Sequence, residues 1–422
     1  MEIGPYIKLH RIKQEMTQAE LAEGIVSSAY LSKIENEKTE ASPNVVSLLC
    51  TRLGIQLDNS TDEMIREKLQ EWFGILSSEH DQADIVRLYQ ELDELMYDNH
   101  SADGLVMFEI YKIRYFLVIG DMDRALSQIN KLSEMAGNFD SLHLFYWYKF
   151  KGNYNSANNE FNQAMRMYKL AEEKLNQLDL SKEEVADLQY TIAVTHSKLR
   201  NTLEAIDYAD KAIATYQITY NFTRCAQCHI VLGISYRRIR MYDKAIKNYN
   251  LAKHLGELKH NEQVIQLTNQ NLGYLYSTVG ETEKAIYHYE EIIKEEGIFF
   301  FERILAKTSL IKEYYNICHY DKAKEMVELS LELLQEVDDQ DTFQLFYYIT
   351  YTYNYAINQE AEKFESLVID EFIPFLKKHK DYANMVIYAN MLAQHFEGNN
   401  RYKESVKYYK LANSTYEELI SL

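Results

Sequence analysis

The sequence predicts an all-α protein, with a small helical domain at the N-terminus and a long helical repeat behind it. Three observations carry this expectation. Glycine and proline number only 14 and 3 in 422 residues, and a sheet-rich fold needs both for its tight turns. Within the first sixty residues, Thr17-Gln-Ala-Glu20 forms a capping box ahead of short amphipathic stretches. From about residue 100 a small residue returns roughly every forty positions.

Composition narrows the function. A hydrophobic share of 46% and a charged share of 26% are those of a globular chain, and the length allows two to four domains at ~100–200 residues each. The 64 acidic and 45 basic residues give a net charge of −19, the opposite of a protein that coats nucleic acid. Any DNA contact has to come from a small local surface. Cys50, Cys225, Cys228 and Cys318 are too few for a disulfide scaffold and fit a reducing cytosol. The first sixteen residues lack the apolar core of a signal peptide, and no apolar run approaches the ~18 residues that span a bilayer. The expectation is a soluble, cytoplasmic protein with no membrane partner.

The N-terminal domain, residues 1–60, reads in order. Residues 5–15 form a helix with Ile7, Ile12 and Met16 on its apolar side. The capping box then starts a short helix with Ala19, Leu21 and Ala22 inward. Gly24-Ile25-Val26 breaks the chain sharply. Ser27 caps a helix over 28–36 with Leu31 and Ile34 inward. Ser42-Pro43 opens a further helix, since proline at the first helical position loses no needed donor, and Gly54 stops it. Two short helices around a tight glycine turn make a helix-turn-helix, whose second helix enters the major groove by its N-terminal end. Its outward residues are Ser27, Ser28, Tyr30, Ser32 and Lys33: hydroxyls for base edges, a ring for van der Waals contact, a cation for phosphate or guanine. Gln18, at the start of the preceding helix, is placed to reach phosphate or a base. Against this stands a local balance of 6 basic and 8 acidic residues over 1–60, which suits a plain helical cap; capping box, turn and helix lengths together favour double-stranded DNA.

The run from Thr17 to Asn36 resembles the xenobiotic-response-element type of helix-turn-helix. Gly24-Ile-Val-Ser with Tyr30-Leu-Ser-Lys-Ile-Glu35 is closer still to the peptide-sensing regulators of Gram-positive bacteria. In such domains an arginine on the first helix pairs with the glutamate after the recognition helix, and Arg11 and Glu35 match those positions. The family's usual glycine after that glutamate is replaced in Glu35-Asn-Glu37.

Residues 61–110 connect the two parts as helices at about 61–76, 81–98 and 102–119. No stretch rich in Gly, Ser or Pro interrupts them, which predicts a stiff connection.

Residues 111–422 carry the repeat. Its anchor is Ala125, Ala164, Ala205, Ala245, Ala285 and Ala323, with Ser405 in the same place near the end. An aromatic follows four residues on in Ala164-Tyr168, Ala245-Tyr249 and Ala285-Tyr289, and Gly233 and Gly273 precede the latter two. This is the tetratricopeptide pattern, and it predicts a right-handed superhelix with a concave wall lined by the first helix of each pair. Residues 340–380 are the least regular stretch. The wall would show Tyr190, Val194 and Lys198, then Gln227, Ile230, Arg237 and Arg238, then Gln270, Asn271 and Tyr274, then Lys312, Tyr315 and Asn316. Among these, Lys198, Gln227, Arg237, Gln270, Asn271, Tyr274, Tyr315 and Asn316 are the candidate peptide contacts. Amides pair with an extended peptide backbone and cations with a carboxylate. The plainer reading of the 35 tyrosines is packing.

No motif for catalysis stands out: there is no Gly-rich phosphate loop, no zinc-protease pair and no nucleophile elbow. Cys225-Ala-Gln-Cys228-His229 has haem-attachment spacing, yet that chemistry needs export, and packing inside a repeat helix is the simpler role. No catalytic residue, metal or cofactor is expected.

The two parts together resemble the RRNPP family of cytoplasmic quorum sensors over nearly the whole chain, most of all its neutral-protease-regulator branch, with the PlcR branch nearby. The resemblance implies a homodimer or tetramer that binds a short imported signalling peptide in the repeat groove and DNA through the helix-turn-helix. It also implies that Asn271, in Asn271-Leu-Gly-Tyr274, clamps the peptide backbone. The Rap branch offers the alternative: binding and inhibition of a phosphorelay response regulator to control sporulation, alone or as a second role. Rap proteins carry a helical bundle in place of a DNA-binding head, which favours transcription.

Overall fold

A computed structural model describes residues 3–39, 41–54, 62–77, 82–98, 102–294, 300–336 and 340–421. Every regular element among them is helical. The expected domain boundary between residues 60 and 61 lies outside the described residues.

The head holds α1 (Ile3–Lys13), α2 (Gln18–Ala22), α3 (Ser28–Glu35) and α4 (Pro43–Arg52). Each start is encoded locally. Thr17 Oγ1 accepts from the Glu20 amide while Glu20 reaches back to the Thr17 amide, closing the capping box of α2. Ser27 caps α3 by accepting from the Tyr30 amide, and Ser42 caps α4 through the Val45 amide. Gly24 takes φ +69 in the turn between α2 and α3, a conformation that L side chains avoid. Leu21, Leu31 and Ile34 are buried with Tyr6, Ile7 and Leu9 of α1. Ala19, expected inward, is exposed, because α2 is too short to bury more than Leu21 and Ala22.

Past α3 the chain turns at Glu37, φ +59, where the Lys38 amide donates to the Lys33 carbonyl at 2.8 Å. The replaced glycine therefore leaves its backbone conformation behind. Glu37→Gly should raise stability by about 0.5–1 kcal/mol, since a strained left-handed residue costs roughly 1–2 kcal/mol and glycine returns part of that as unfolded-state entropy. Thermal unfolding of the two chains checks it.

The connector is α5 (Asp62–Ser77), α6 (Gln82–Asp98) and α7 (Ala102–Val118). The expected boundary at 110 falls inside α7, which packs against α5 and against α8 (Met122–Ser133) and α9 (Ser141–Ala157). One helix thus closes the connector and opens the repeat. Trp72, fully buried, sits among Tyr89, Phe108 and Tyr115 with ring centroids at 5.9, 5.5 and 5.8 Å.

The repeat continues through α10 (Phe161–Lys174), α11 (Lys182–Lys198), α12 (Thr202–Ile218), α13 (Phe222–Arg238), α14 (Tyr242–Lys259), α15 (Glu262–Thr278), α16 (Thr282–Ile293), α17 (Phe300–Asn316), α18 (Tyr320–Gln335), α19 (Gln340–Ile357), α20 (Ala361–Ser366), α21 (Ile373–Lys378), α22 (Tyr382–Gly398) and α23 (Tyr402–Ser421). The chain divides into two compact units, Met1–Thr215 and Tyr216–Leu422. Within them every anchor is buried: the six alanines at 0% exposure and Ser405 at 3%. The missing anchor is Phe364, also buried. There a large ring stands where alanine elsewhere lets helices approach, and α20 and α21 join through a six-residue π-helical stretch, Leu367–Phe372.

A second feature keeps the same period. Gly120, Asn159, Arg200, Arg240, Gly280, Cys318, Gln359 and Asn400 all take positive φ. Each stands five positions before an anchor, from Gly120–Ala125 to Asn400–Ser405, and turns the first helix of a pair into the second. Tyr168, Tyr249 and Tyr289, which follow the anchors, are buried as packing residues, while Tyr220, Tyr287 and Tyr402 are exposed. At Gly273 a Cβ atom would lie 2.5 Å from Cε1 of Tyr289, so only glycine admits that ring.

Candidate DNA-facing surface and repeat groove

On α3, Ser28 and Lys33 are exposed, as is the cap Ser27, while Tyr30 and Ser32 are half-buried. Ser27 Oγ accepts from the Tyr30 amide at 3.2 Å, which leaves its own proton for a ligand. The N-terminal end of α3 thus presents two hydroxyls in a row beside Ala29. Gln18 faces elsewhere: its Nε2 donates to Glu35 Oε2 at 2.6 Å. The Glu35 side chain is fully buried and receives Arg11 through Nε at 2.6 Å and Nη2 at 2.9 Å. Arg11 Nη1 also reaches the Met16 carbonyl at 2.8 Å. The expected arginine–glutamate pair is formed, and Gln18 has joined it.

Other cations of the head are also engaged. Lys8 donates to the Glu134 carbonyl at 3.1 Å, Lys13 lies 3.9 Å from Glu109, and Arg52 holds the carbonyls of Leu21 and Glu23. Lys33 and Lys38 are exposed.

In the second unit, α13 and α15 carry the groove candidates Arg237, Gln270, Asn271 and Tyr274. The Arg237 guanidinium lies 4.4 Å from the centroid of the Tyr274 ring, a cation–π contact across neighbouring inner helices. Burial pushes the Tyr249 hydroxyl up to about 12, with Arg237 opposing it. Asn271 Nδ2 donates to the Leu267 carbonyl at 2.8 Å, and its Oδ1 is 3.5 Å from the Tyr249 hydroxyl, so its carbonyl oxygen keeps acceptor capacity. Arg237 Nε and Gln270 Oε1 are buried without a protein partner among the described residues. Leaving such atoms unpaired costs about 1–3 kcal/mol each. One is a donor and the other an acceptor.

The remaining candidates are placed differently. Gln227 accepts from Arg224 at 3.1 Å. Tyr315 meets Tyr353 edge-on at 5.1 Å, and burial raises its pKa. Asn316 is exposed at the end of α17, and Lys198 is exposed at the end of α11 in the first unit. Ile230, expected on the wall, is buried with Ala252 and Val264 of the next helices. Cys225 and Cys228 are buried in α13, and His229 Nδ1 is 2.8 Å from Asn248 Oδ1. Sequence reasoning passed over Glu313, a buried acid that accepts from Ser277 Oγ at 2.5 Å beside Lys312; on a helix face that reads as apolar, nothing marks it out.

Comparison with known proteins bears on both surfaces. A helix-turn-helix family model matches residues 7–59, and a soluble NSF attachment protein model matches 146–348. The chain is 34% identical over 408 residues, 95% of its length and all of the relative's, to the transcriptional activator NprA of Geobacillus stearothermophilus. It is 24% identical over 360 residues, 81% of its length and 92% of the relative's, to response regulator aspartate phosphatase A of Bacillus subtilis (strain 168). Two structures of the quorum sensor NprR superpose on it. The apo form, from B. thuringiensis, does so with a TM-score of 0.72 and 18% identity over 84% of this chain and 99% of that one. The complex with the cognate peptide NprX gives 0.59 and 18% over 85% and 100%. Among the described residues no helix is long and apolar enough to cross a membrane. With an end-to-end match to NprA at this identity and a helix-turn-helix head on a repeat of NprR fold, the chain belongs to the RRNPP family, in the branch of the transcriptional activator NprA.

Proposed function

We propose that the chain is a cytoplasmic quorum-sensing transcriptional regulator. It reads double-stranded DNA with the N-terminal end of α3, through Ser27, Ser28, Tyr30, Ser32 and Lys33. It binds a short imported signalling peptide along α13, α15 and α17. It acts by binding rather than catalysis, as a homodimer or tetramer whose paired heads meet a two-fold operator. The observation that carries the groove half is the unpaired donor and acceptor at Arg237 Nε and Gln270 Oε1, beside the acceptor capacity of Asn271. A peptide that prefers one quaternary arrangement shifts the population toward it, and the heads move with it. NprA's description as a transcriptional activator and the NprR complex with NprX support the reading.

Two substitutions test it on the full chain, with random-sequence duplex DNA and a synthetic heptapeptide library as probes. Ser28→Glu should weaken DNA binding about a hundred-fold, by removing a base contact and adding charge beside phosphate, and leave peptide binding intact. Asn271→Ala should weaken peptide binding about ten- to a hundred-fold and leave unliganded DNA binding intact. Unchanged peptide affinity in Asn271→Ala would overturn the groove assignment. The match to response regulator aspartate phosphatase A over 81% of the chain supports a second reading, in which the helices of 61–120 and the repeat also grip a phosphorelay response regulator.

A further inference from the structure

A helix-turn-helix head on a tether could sample many orientations. This head is fixed at three points, all within the first compact unit. At the end of α3, Asn138 Nδ2 donates to the Glu35 carbonyl at 3.1 Å across 103 residues of chain. That carbonyl is one of the four that a helix C-terminus leaves unpaired. On α1, Lys8 donates to the Glu134 carbonyl at 3.1 Å and comes within 3.4 Å of Asn36 Oδ1. At the end of α1, Lys13 enters a site around Glu109 of α7.

Glu109 has a fully buried side chain. Lys112 Nζ lies 3.3 Å from it and Lys13 Nζ 3.9 Å, and Gln128 Nε2 donates to its Oε2 at 2.8 Å and to its carbonyl at 2.9 Å. Burial works to raise its pKa, and Lys112, Lys131, Lys13 and Gln128 together outweigh that and hold it below its ordinary value. Burial holds the Lys13 ammonium below its ordinary pKa, against the attraction of Glu109 and, more weakly, of Asp93 on α6. Lys13 reaches this site from the head, while the other partners of Glu109 come from the repeat side. Beneath these contacts the apolar core runs unbroken from Tyr6 and Ile7 of α1 through Trp72 and Phe108 to Phe150.

We propose that Glu109 and Asn138 are positioning residues for DNA recognition: they clamp the head to the first helix pairs and so fix the direction of α3. The inference rests on the DNA-binding reading above and on two heads per assembly. A clamped pair of heads has one separation and one angle. Two extra base pairs between half-sites turn the second site by roughly 70° about the duplex, which a rigid pair cannot follow and a loosened pair can. Neither residue belongs to the head, so the surface of α3 that faces DNA stays the same when they change.

The test selects full-length wild type and the double variant Glu109→Gln/Asn138→Ala on one random duplex pool, with amide exchange of both chains measured without DNA. Both should enrich the same half-site. Wild type should favour one separation at least ten-fold over the separation two base pairs longer, and the variant less than three-fold. Exchange in α3 should speed up at least ten-fold in the variant, and also in Lys13→Met, which leaves Glu109 with Lys112, Lys131 and Gln128. Equal spacing preference in the two chains overturns the clamp, as does unchanged exchange in α3 or enrichment of single half-sites alone. Failure of both chains to enrich any site removes the DNA reading itself, a result distinct from equal spacing.

Discussion

Arg11→Ala is expected to cost about 3–5 kcal/mol of stability, because it strands the buried charge of Glu35. The wild-type carboxylate takes both oxygens' worth of a guanidinium fork, at 2.6 and 2.9 Å, and its side chain is fully buried. Gln18, whose Nε2 donates to Glu35 Oε2 at 2.6 Å, would remain as a neutral donor. The Met16 carbonyl would lose its partner at the same time, loosening the turn before the capping box. Denaturant unfolding of the full chain reads the loss. A second comparison separates charge from packing. Arg11→Met with Glu35→Leu removes donor and acceptor together and should recover most of the loss, since a buried pair replaced by apolar side chains is often neutral. A double variant as weak as Arg11→Ala would mean that the fork supplies shape rather than charge balance.

Trp72→Ala should cost a similar amount, about 3–5 kcal/mol, the usual range for deleting a large buried aromatic. The indole touches three rings from α6 and α7, and such pairs add to what burial alone provides. Its Nε1 has no hydrogen-bond partner among the described residues. Trp72→Phe therefore gives up ring volume but no hydrogen bond, and should fall well short of the alanine loss. Because one core joins α1 to α11, the unfolding transition seen by circular dichroism should shift as a whole for the first unit. A shift below about 1 kcal/mol for the alanine variant would contradict close packing at this site.

What was legible in the sequence is what local chemistry encodes. The Thr17–Glu20 box and the caps at Ser27 and Ser42 act over three residues, so reading the chain in order finds them. The alanine anchors were legible because a small residue at fixed period has one structural use in a helical stack. Phe364 broke that signal with a large ring at an anchor position, and the π-helical stretch after it has no periodicity to betray it. The long-range polar contacts were hidden for a different reason. Asn138 and Glu35 are 103 positions apart, and neither neighbourhood mentions the other. Gln18 shows the same limit at short range: its place on α2 could be read, but not whether its amide turns toward a base or toward Glu35. In the groove, Arg237 and Tyr274 were each legible as inner-face residues, while their stacking required the lateral distance between α13 and α15. Ile230 was misplaced on the wall because the side chains that cover it, Ala252 and Val264, arrive from helices further along.

The left-handed turns keep a constant five-residue step to their anchors, although the anchors themselves are 38 to 41 residues apart. Length variation in this family of repeats therefore has only one place to go. A residue inserted between a turn and its anchor would rotate the second helix by roughly 100° and carry the anchor away from its partner. The same insertion in the connection to the next pair would leave both faces in place. Deletions and duplications that survive should accumulate between helix pairs, on the side of the stack that holds Tyr220, His260 and Lys380, and the turn-to-anchor step should behave as the fixed reading frame of the molecule.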